Sequence, residues 1–494
     1  MPTLHIPSLV ALPLFCASCN APPPEPAGCS HEIRWYVPQN ATSTIDLLFV
    51  VDDSSGMGPA QARMKAGLPI LLDALAHEVN RFVDLHIGVI TTDMGAGATG
   101  APGCAVAPGP RGGRFQRRGA AAAPGCQPPV GRDFIEYQFW ENHHGPNNLP
   151  PGQDLQTTLA CMLSVGESGC AFPQPIAAAR AALADRDFLR EESDLVLVFL
   201  TNHDDGSAPL DTDLFDATKT ARYGHLDRYA RQTRAGVLCG NPSVLPPYGA
   251  SAGPLADCTP APNPGGRDPG RLDDIDTLGD LLGKPATEGG LKYHPVAIHV
   301  ATFAGPVDPF EVVLTDPDAP ADAPIVECTP LSESPPLCLP RLRPSCRGAD
   351  PHLVAEPAVR LAALTRDPRR RGDVFASICD TDYATLLARQ FFRQQFCLSC
   401  GGSCALGPLA PDPLSPDCHV EDVTLQRDGS ERIVSLDRCV DGDPRGEDAP
   451  PCWRAERSDT CASLSPDRVR LWVDRHGRPA PPHTVSRFSC ATTC

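Results

Sequence analysis

The sequence predicts an α/β protein: a doubly wound, mostly parallel sheet carrying long loop insertions, followed by a smaller disulfide-rich, β-leaning C-terminal domain. Three observations carry that prediction. Residues 45–51 (Ile-Asp-Leu-Leu-Phe-Val-Val) and 194–201 (Asp-Leu-Val-Leu-Val-Phe-Leu-Thr) are close to continuous apolar runs, the pattern of strands buried inside a parallel sheet. Each run opens at its carboxyl end into small oxygen-bearing residues, the place where open α/β sheets bind ligands. Segments of helical period separate the strands, which implies right-handed crossovers and a sheet covered on both faces.

Composition sets the outer bounds. With 494 residues the chain is long enough for two or three domains, and 41% hydrophobic content supports a sizeable core. Only 6% of residues are aromatic, while 56 prolines and 42 glycines predict long loops. A formal charge of −18 argues against nucleic acid or an anionic membrane surface as partner, because both attract positive charge. Twenty-two cysteines are too many for a reducing compartment and point to disulfides in an exported protein.

Residues 1–19 read as a signal peptide. Positions 4–15 form a short apolar segment, well below the ~20 residues of a membrane span. It ends in Cys16-Ala17-Ser18-Cys19, which resembles a bacterial lipoprotein cleavage box with Cys19 as the lipidation site. The n-region lacks Lys and Arg, and Cys16 stands where leucine is preferred. Losing Cys16 to cleavage and Cys19 to a lipid leaves an even number of cysteines for pairing. Membrane contact would then run through the N-terminal lipid alone, at a bacterial outer membrane or cell surface.

Residues 20–43 read as a proline-rich tether containing Cys29. The α/β domain spans 44–395. Its first strand is 45–51. A helix follows over 59–81, with Met64, Leu68, Leu71, Leu72 and Leu75 on one face. Residues 83–92 form the second strand. Residues 95–153, rich in Gly, Pro and Ala, read as a surface insertion with a short strand near 113–116. Helical segments are expected at 154–163 and 173–185, the second favoured by Pro173 and Pro175 in its first turn. Cys161 and Cys170 flank a short loop and are read as bridging it. The central strand is 194–201. A second insertion, 207–270, holds Cys239 and Cys258. Then come a helix at 275–282, a strand at 295–303, a helix at 355–364, a short strand at 374–378 and a closing helix at 380–394. Residues 396–494 hold nine cysteines and almost no helical period, with strands expected at 468–473 and 484–489. Within them Cys397-x-x-Cys400-x-x-x-Cys404 is the one tight cluster. Zinc is its rival reading to disulfides, although zinc modules usually pair two such clusters.

The loop Asp52-Asp53-Ser54-Ser55-Gly56-Met57 carries the chemistry. Asp52 and Ser54 offer hard oxygen ligands of the kind magnesium and calcium prefer. The same two residues would also suit the start of the helix near Pro59, where Asp and Ser are favoured as caps. Asp204-Asp205 before Gly206 is read as a solvated turn, and His203 and His143-His144 as solvent-facing. His77-Glu78 lacks the second histidine of a zinc-protease helix, since position 81 is Arg. No nucleophile elbow surrounds Ser54 or Ser55.

The segments 45–57, 86–95, 166–183, 188–205, 296–305 and Ser377-Ile378-Cys379-Asp380, in this order, resemble a von Willebrand factor A domain, specifically the large cysteine-rich kind of myxobacterial lipoproteins. The resemblance covers roughly residues 44–395 and implies a Rossmann-like fold with a metal-ion-dependent adhesion site at the strand ends. The expected pattern is Asp-x-Ser-x-Ser, then Thr, then Asp. It implies Asp52 and Ser54 as ligands, Thr157 or Thr158 as the threonine and Asn202 at the last position. Gly56 replaces the second serine and Asn202 the last aspartate; Asp53, Ser55, Asp93, Asp204 and Asp205 are candidates to compensate. Mg2+ is the expected ion, with Mn2+ and Ca2+ as alternatives, and a partner's carboxylate would complete its shell.

The leading expectation is therefore a non-enzymatic adhesion or binding protein, engaging a protein or surface-polymer partner at the top of the sheet. The competing readings are a metal-independent envelope scaffold and a secreted hydrolase.

Overall fold

The computed structural model describes residues 31–39, 44–78, 82–96, 101, 103–104, 112–140, 143–209, 212–219, 228–240, 253–262, 272–315, 339–370, 373–379, 382–388, 402–405, 407–426, 430–440, 449–461, 465, 467–476, 478, 480–481 and 484–492. The signal peptide, Cys16, Cys19, Cys29, Cys397 and Cys400 lie outside them.

The chain is α/β. We number its main strands in order: β1 His31–Pro38, β2 Thr44–Val51, β3 Phe82–Thr91, β4 Ile135–Trp140, β5 His143–Asn147, β6 Asp194–Leu200, β7 Ile298–Ala304 and β8 Val374–Ser377. They form a seven-stranded sheet in the order β8-β7-β6-β2-β3-β4-β5, which leaves out β1. Its first five strands are parallel, and β4 and β5 add antiparallel at one edge. The helices are α1 Gly58–Glu78, α2 Leu155–Leu163, α3 Pro175–Ala182, α4 Arg228–Gly236, α5 Asp276–Gly283, α6 Val359–Thr365 and α7 Tyr383–Leu387.

Strand alternation divides the core. Leu47, Phe49 and Val51 of β2 pack with Met64, Leu68 and Leu71 of α1, Leu159 of α2 and Tyr383 of α7. Leu48 and Val50 point the other way, into a layer with Ile176 of α3, Leu278 of α5 and Leu361 of α6. Both faces are therefore apolar and covered, as the unbroken apolar runs require.

Four expectations need correction. Residues 31–38 are not tether: β1 is an edge strand of a second seven-stranded sheet, pairing His31 with Thr492 and Pro38 with Val485. Ile33, Trp35 and Val37 alternate with exposed Glu32, Arg34 and Tyr36, and Trp35 stacks on Phe488 at 5.6 Å. The insertion 95–153 contributes β4 and β5 besides the expected contact near 113–116, where Phe115 bridges Ile90. Insertion 207–270 contains α4, and its cysteines pair as Cys239–Cys258. Cys161 and Cys170 are both in disulfides but not with each other: Cys126 pairs with Cys161 and Cys104 with Cys170. The reason is that the insertion folds back over α2, where the amide N–H of Gly119 donates to the Cys161 carbonyl and that of Ala121 to the Ser164 carbonyl.

The second sheet is completed by β9 Gly402–Cys404, β10 Cys418–Leu425, β11 Glu431–Arg438, β12 Cys452–Arg457, β13 Val469–Asp474 and β14 Thr484–Thr492, in the order β1-β14-β10-β11-β12-β13-β9. Cys404–Cys461, Cys418–Cys490 and Cys439–Cys452 staple it. Cys404 is thereby withdrawn from any zinc cluster with Cys397 and Cys400. No helix among the described residues is long and apolar enough to cross a membrane.

Candidate functional site

Strand register assembles the site. Val51 of β2 is paired with Thr91 of β3 on one side and Leu200 of β6 on the other. The next residue of each strand, Asp52, Thr92 and Thr201, is therefore brought to one point at the carboxyl end of the sheet. There Asp52 Oδ1 accepts from the Ser54 amide at 2.8 Å and the Thr92 hydroxyl at 3.3 Å, and Oδ2 accepts from the Thr201 hydroxyl at 2.7 Å. Asp52 is fully buried, and that desolvation pushes its carboxyl above the usual range, opposed by those three hydrogen bonds and by the Ser54 side chain.

The loop after β2 is fixed from two directions. Ser54 is fully buried beside Asp52, and its side chain helps to hold the Asp52 carboxylate. Gly56 sits at φ +87°, and a Cβ there would stand 3.2 Å from the His352 carbonyl and 3.3 Å from Asn202 Nδ2. A serine is therefore disfavoured at 56 by backbone conformation and by crowding. From the other direction comes the loop between α2 and α3. Its Gly169 N–H donates to the Asp53 carbonyl at 2.7 Å. Gln61 of α1 locks the two loops: its Nε2 donates to Gly166 O (2.8 Å) and Asp52 O (3.2 Å), and its Oε1 accepts from Gly166 N. Glu167 Oε1 then accepts from the amides of Gly56 (3.1 Å) and Gly58 (2.8 Å). The first turn of α1 has no acidic residue of its own, so Glu167 supplies the negative charge that a helix N-terminus favours.

The loop after β6 closes the third side. Asn202 Nδ2 donates to Val354 O at 3.2 Å and Ser55 O at 3.4 Å, while its buried Oδ1 accepts nothing among the described residues. Asp204 and Asp205 are not a solvated turn. Asp204 accepts from the amides of Arg360 and Leu361 at the start of α6. Asp205 accepts from Ile176 N of α3 and pairs with Arg360 at 3.0 Å. Both are buried, and desolvation pushes Asp204 up to about 6. His203 is buried as well, 3.8 Å from Glu356.

Comparison with known proteins adds little to this geometry. No family model and no curated protein matches the chain. A solved structure, the von Willebrand factor type A protein from Catenulispora acidiphila, is similar at 11% identity with a TM-score of 0.23, over 95% of this chain and 62% of that one. The chain thus spans less than two thirds of that structure's length.

Of the expected ligands, Asp52, Ser54 and Asn202 converge and Thr157 does not. Thr157 is exposed in the first turn of α2, where its amide bonds the N-cap Asp154. It lies seven residues, about 10 Å of helix, from Ser164, where the loop to the site begins. Thr158 is buried with an unpartnered Oγ1 but sits in the same turn. The hydroxyls that reach Asp52 from the neighbouring strands are Thr92 and Thr201, and the available sequence signal was their position directly after a strand. Gln61 and Glu167 carry no such signal.

A hard cation needs oxygens that are not already committed. Asn202 Oδ1 meets that condition, with the Ser54 hydroxyl held beside the buried Asp52 carboxylate. Among the described residues no group of three or more His, Cys, Asp and Glu could hold a metal ion. The arrangement fits a cation held mainly by neutral oxygens.

Proposed function

We propose that this chain is a non-enzymatic binding protein of the cell envelope, which engages a protein or surface polymer at the carboxyl ends of its parallel strands through a divalent cation, Mg2+ first. The observation carrying this reading is the buried Asn202 Oδ1, which accepts no hydrogen bond among the described residues, close to the loop of Asp52 and the buried Ser54 hydroxyl. An orphaned buried polar atom costs roughly 1–3 kcal/mol, so Asn202 Oδ1 marks a place that a ligand would complete. Ser54 and Asn202 would hold the ion. Asp52 would contribute charge and keep the loop in register through its bonds to Thr92 and Thr201. When bound, the ion supplies an electrophilic position for a partner's oxygen.

Calorimetric titration of Mg2+ and Mn2+ into the oxidised protein tests this. Saturable binding is expected, weakened at least tenfold by Ser54→Ala. A flat titration of the natural protein would remove the cation from the reading.

Seven disulfides among the described residues support an oxidising compartment, and Cys16-Ala17-Ser18-Cys19 supports lipid anchoring at Cys19. Radiolabelled palmitate fed to the producing bacterium should enter the natural protein and not the Cys19→Ala variant. Equal labelling of both would refute the anchor.

A further inference from the structure

We infer that Cys29 and Cys494 form a disulfide that ties the His31 end of β1 to β14. Both cysteines lie outside the described residues, but the strands that lead to them do not. β1 runs antiparallel to β14 from His31 opposite Thr492 to Pro38 opposite Val485, one residue against one residue without a slip. Each step back along β1 is one step forward along β14. Two steps beyond His31 and Thr492, that register sets position 29 opposite position 494, and both are cysteine.

The faces agree as well. Side chains alternate along a strand. Ile33, Trp35 and Val37 of β1 and Phe488 and Cys490 of β14 belong to the apolar core of this sheet, and positions 29 and 494 fall on that same face. Directly opposite residues of an antiparallel ladder have Cα atoms about 4.5 or 5.5 Å apart, depending on whether the pair exchanges hydrogen bonds. Both separations lie within disulfide reach, about 4.4–6.8 Å. β14 already carries one bond of this kind: Cys490 stands directly opposite Cys418 of β10 and is joined to it, at a Cα separation of 4.1 Å.

The supply of cysteines fits. Fourteen of the 22 are taken by disulfides among the described residues. Setting aside Cys16 and Cys19 leaves Cys29, Cys328, Cys338, Cys397, Cys400 and Cys494, and of these only Cys29 and Cys494 are brought opposite each other by a described register. Closure breaks two S–H bonds and forms one S–S bond, with two protons and two electrons passing to a disulfide-bearing oxidant by thiol–disulfide exchange.

The bond has a mechanical consequence. Among the described residues β14 is the one sheet partner of β1. A pull from the residues before β1 arrives at its His31 end, where an antiparallel pair opens one ladder hydrogen bond at a time. A crosslink just outside that end passes the load to β14, which Cys418–Cys490 fastens to β10 in the interior of the sheet.

Peptide mapping of the full oxidised chain, denatured and alkylated without reduction, tests the bond. We expect the fragment that ends at Arg34 to be joined through Cys29 to Cys494, with neither thiol alkylated. In the Cys29→Ser variant, Cys494 should become the one cysteine newly open to alkylation. Alkylation of Cys29 or Cys494 in the natural protein, or Cys29 joined to any other cysteine, would overturn the inference. Hydrogen exchange then reads the folded state. The β1 amides should exchange at least tenfold faster in Cys29→Ser than in the natural protein, while those of β2 keep their rates. Unchanged β1 exchange, with the bond present in the natural protein, would remove the mechanical role.

Discussion

Arg360→Met is expected to cost roughly 3–5 kcal/mol of stability, the range for removing one member of a buried ion pair. Arg360 is 2% exposed and Asp205 fully buried. The guanidinium donates to Asp205 Oδ2 through Nε (3.2 Å) and a terminal nitrogen (3.0 Å), and to the Asp273 carbonyl at 2.6 Å. Methionine fills much of the same volume, so the loss is electrostatic rather than a cavity. It strands a carboxylate whose other oxygen still holds the Ile176 amide and the Ser207 hydroxyl. Because Asp205 and its neighbour Asp204 start two helices of the same layer, α3 and α6, the damage should spread to the loop that carries Asn202. The double variant Arg360→Met/Asp205→Asn should recover a good part of the loss, since the amide needs no counter-charge. Urea unfolding of the natural protein and both variants reads this directly. A single-variant loss under about 1 kcal/mol would mean that water reaches Asp205 in the folded state.

The same loop shows what sequence can and cannot reveal. Strands β2 and β6 were legible because burial on both faces leaves a continuous apolar run, and the site's place followed from where those runs stop. The convergence of Asp52 and Ser54 at the strand end was legible because a short oxygen-rich loop follows a buried strand, although the same residues suited a helix cap equally well. Asp204-Asp205 was misread because two adjacent acids look solvated unless the starts of α3 and α6, 29 residues before Asp205 and 156 after Asp204 by hydrogen-bond separation, are known to meet them. Glu167 was invisible for a related reason: its partners are the backbone amides of two glycines, and a backbone donor has no residue identity. β1 was missed although its alternation of Ile33, Trp35 and Val37 was readable, because its only described sheet partner, β14, lies at the other end of the chain.

A second large effect is expected at the opposite end of the sheet, where Asp46→Ala should also cost roughly 3–5 kcal/mol. Asp46 lies on the buried strand β2 and is fully inaccessible. It accepts from the Arg190 amide and Nε at 2.8 Å each and from the Ser193 hydroxyl, and Lys292 Nζ stands 3.6 Å away. Arg190 has a second partner in Asp84 at 2.6 Å and is partly exposed, so it would survive the change. Lys292 would not: it is 1% exposed, and desolvation already holds it down to about 8, with Asp46 the largest influence in the other direction. The sign of the pH dependence follows. A lysine whose folded value lies below its unfolded 10.5 binds fewer protons folded than unfolded, so its contribution to stability improves as pH rises from about 8 towards 10.5. Without Asp46 the folded value drops further, and that window opens at lower pH. The stability deficit of Asp46→Ala relative to the natural protein should therefore be largest near pH 6 and shrink towards pH 9, as deprotonation becomes easier. Adding Lys292→Met should flatten the profile. A deficit independent of pH, with or without Lys292, would place the cost in the lost Arg190 and Ser193 hydrogen bonds instead.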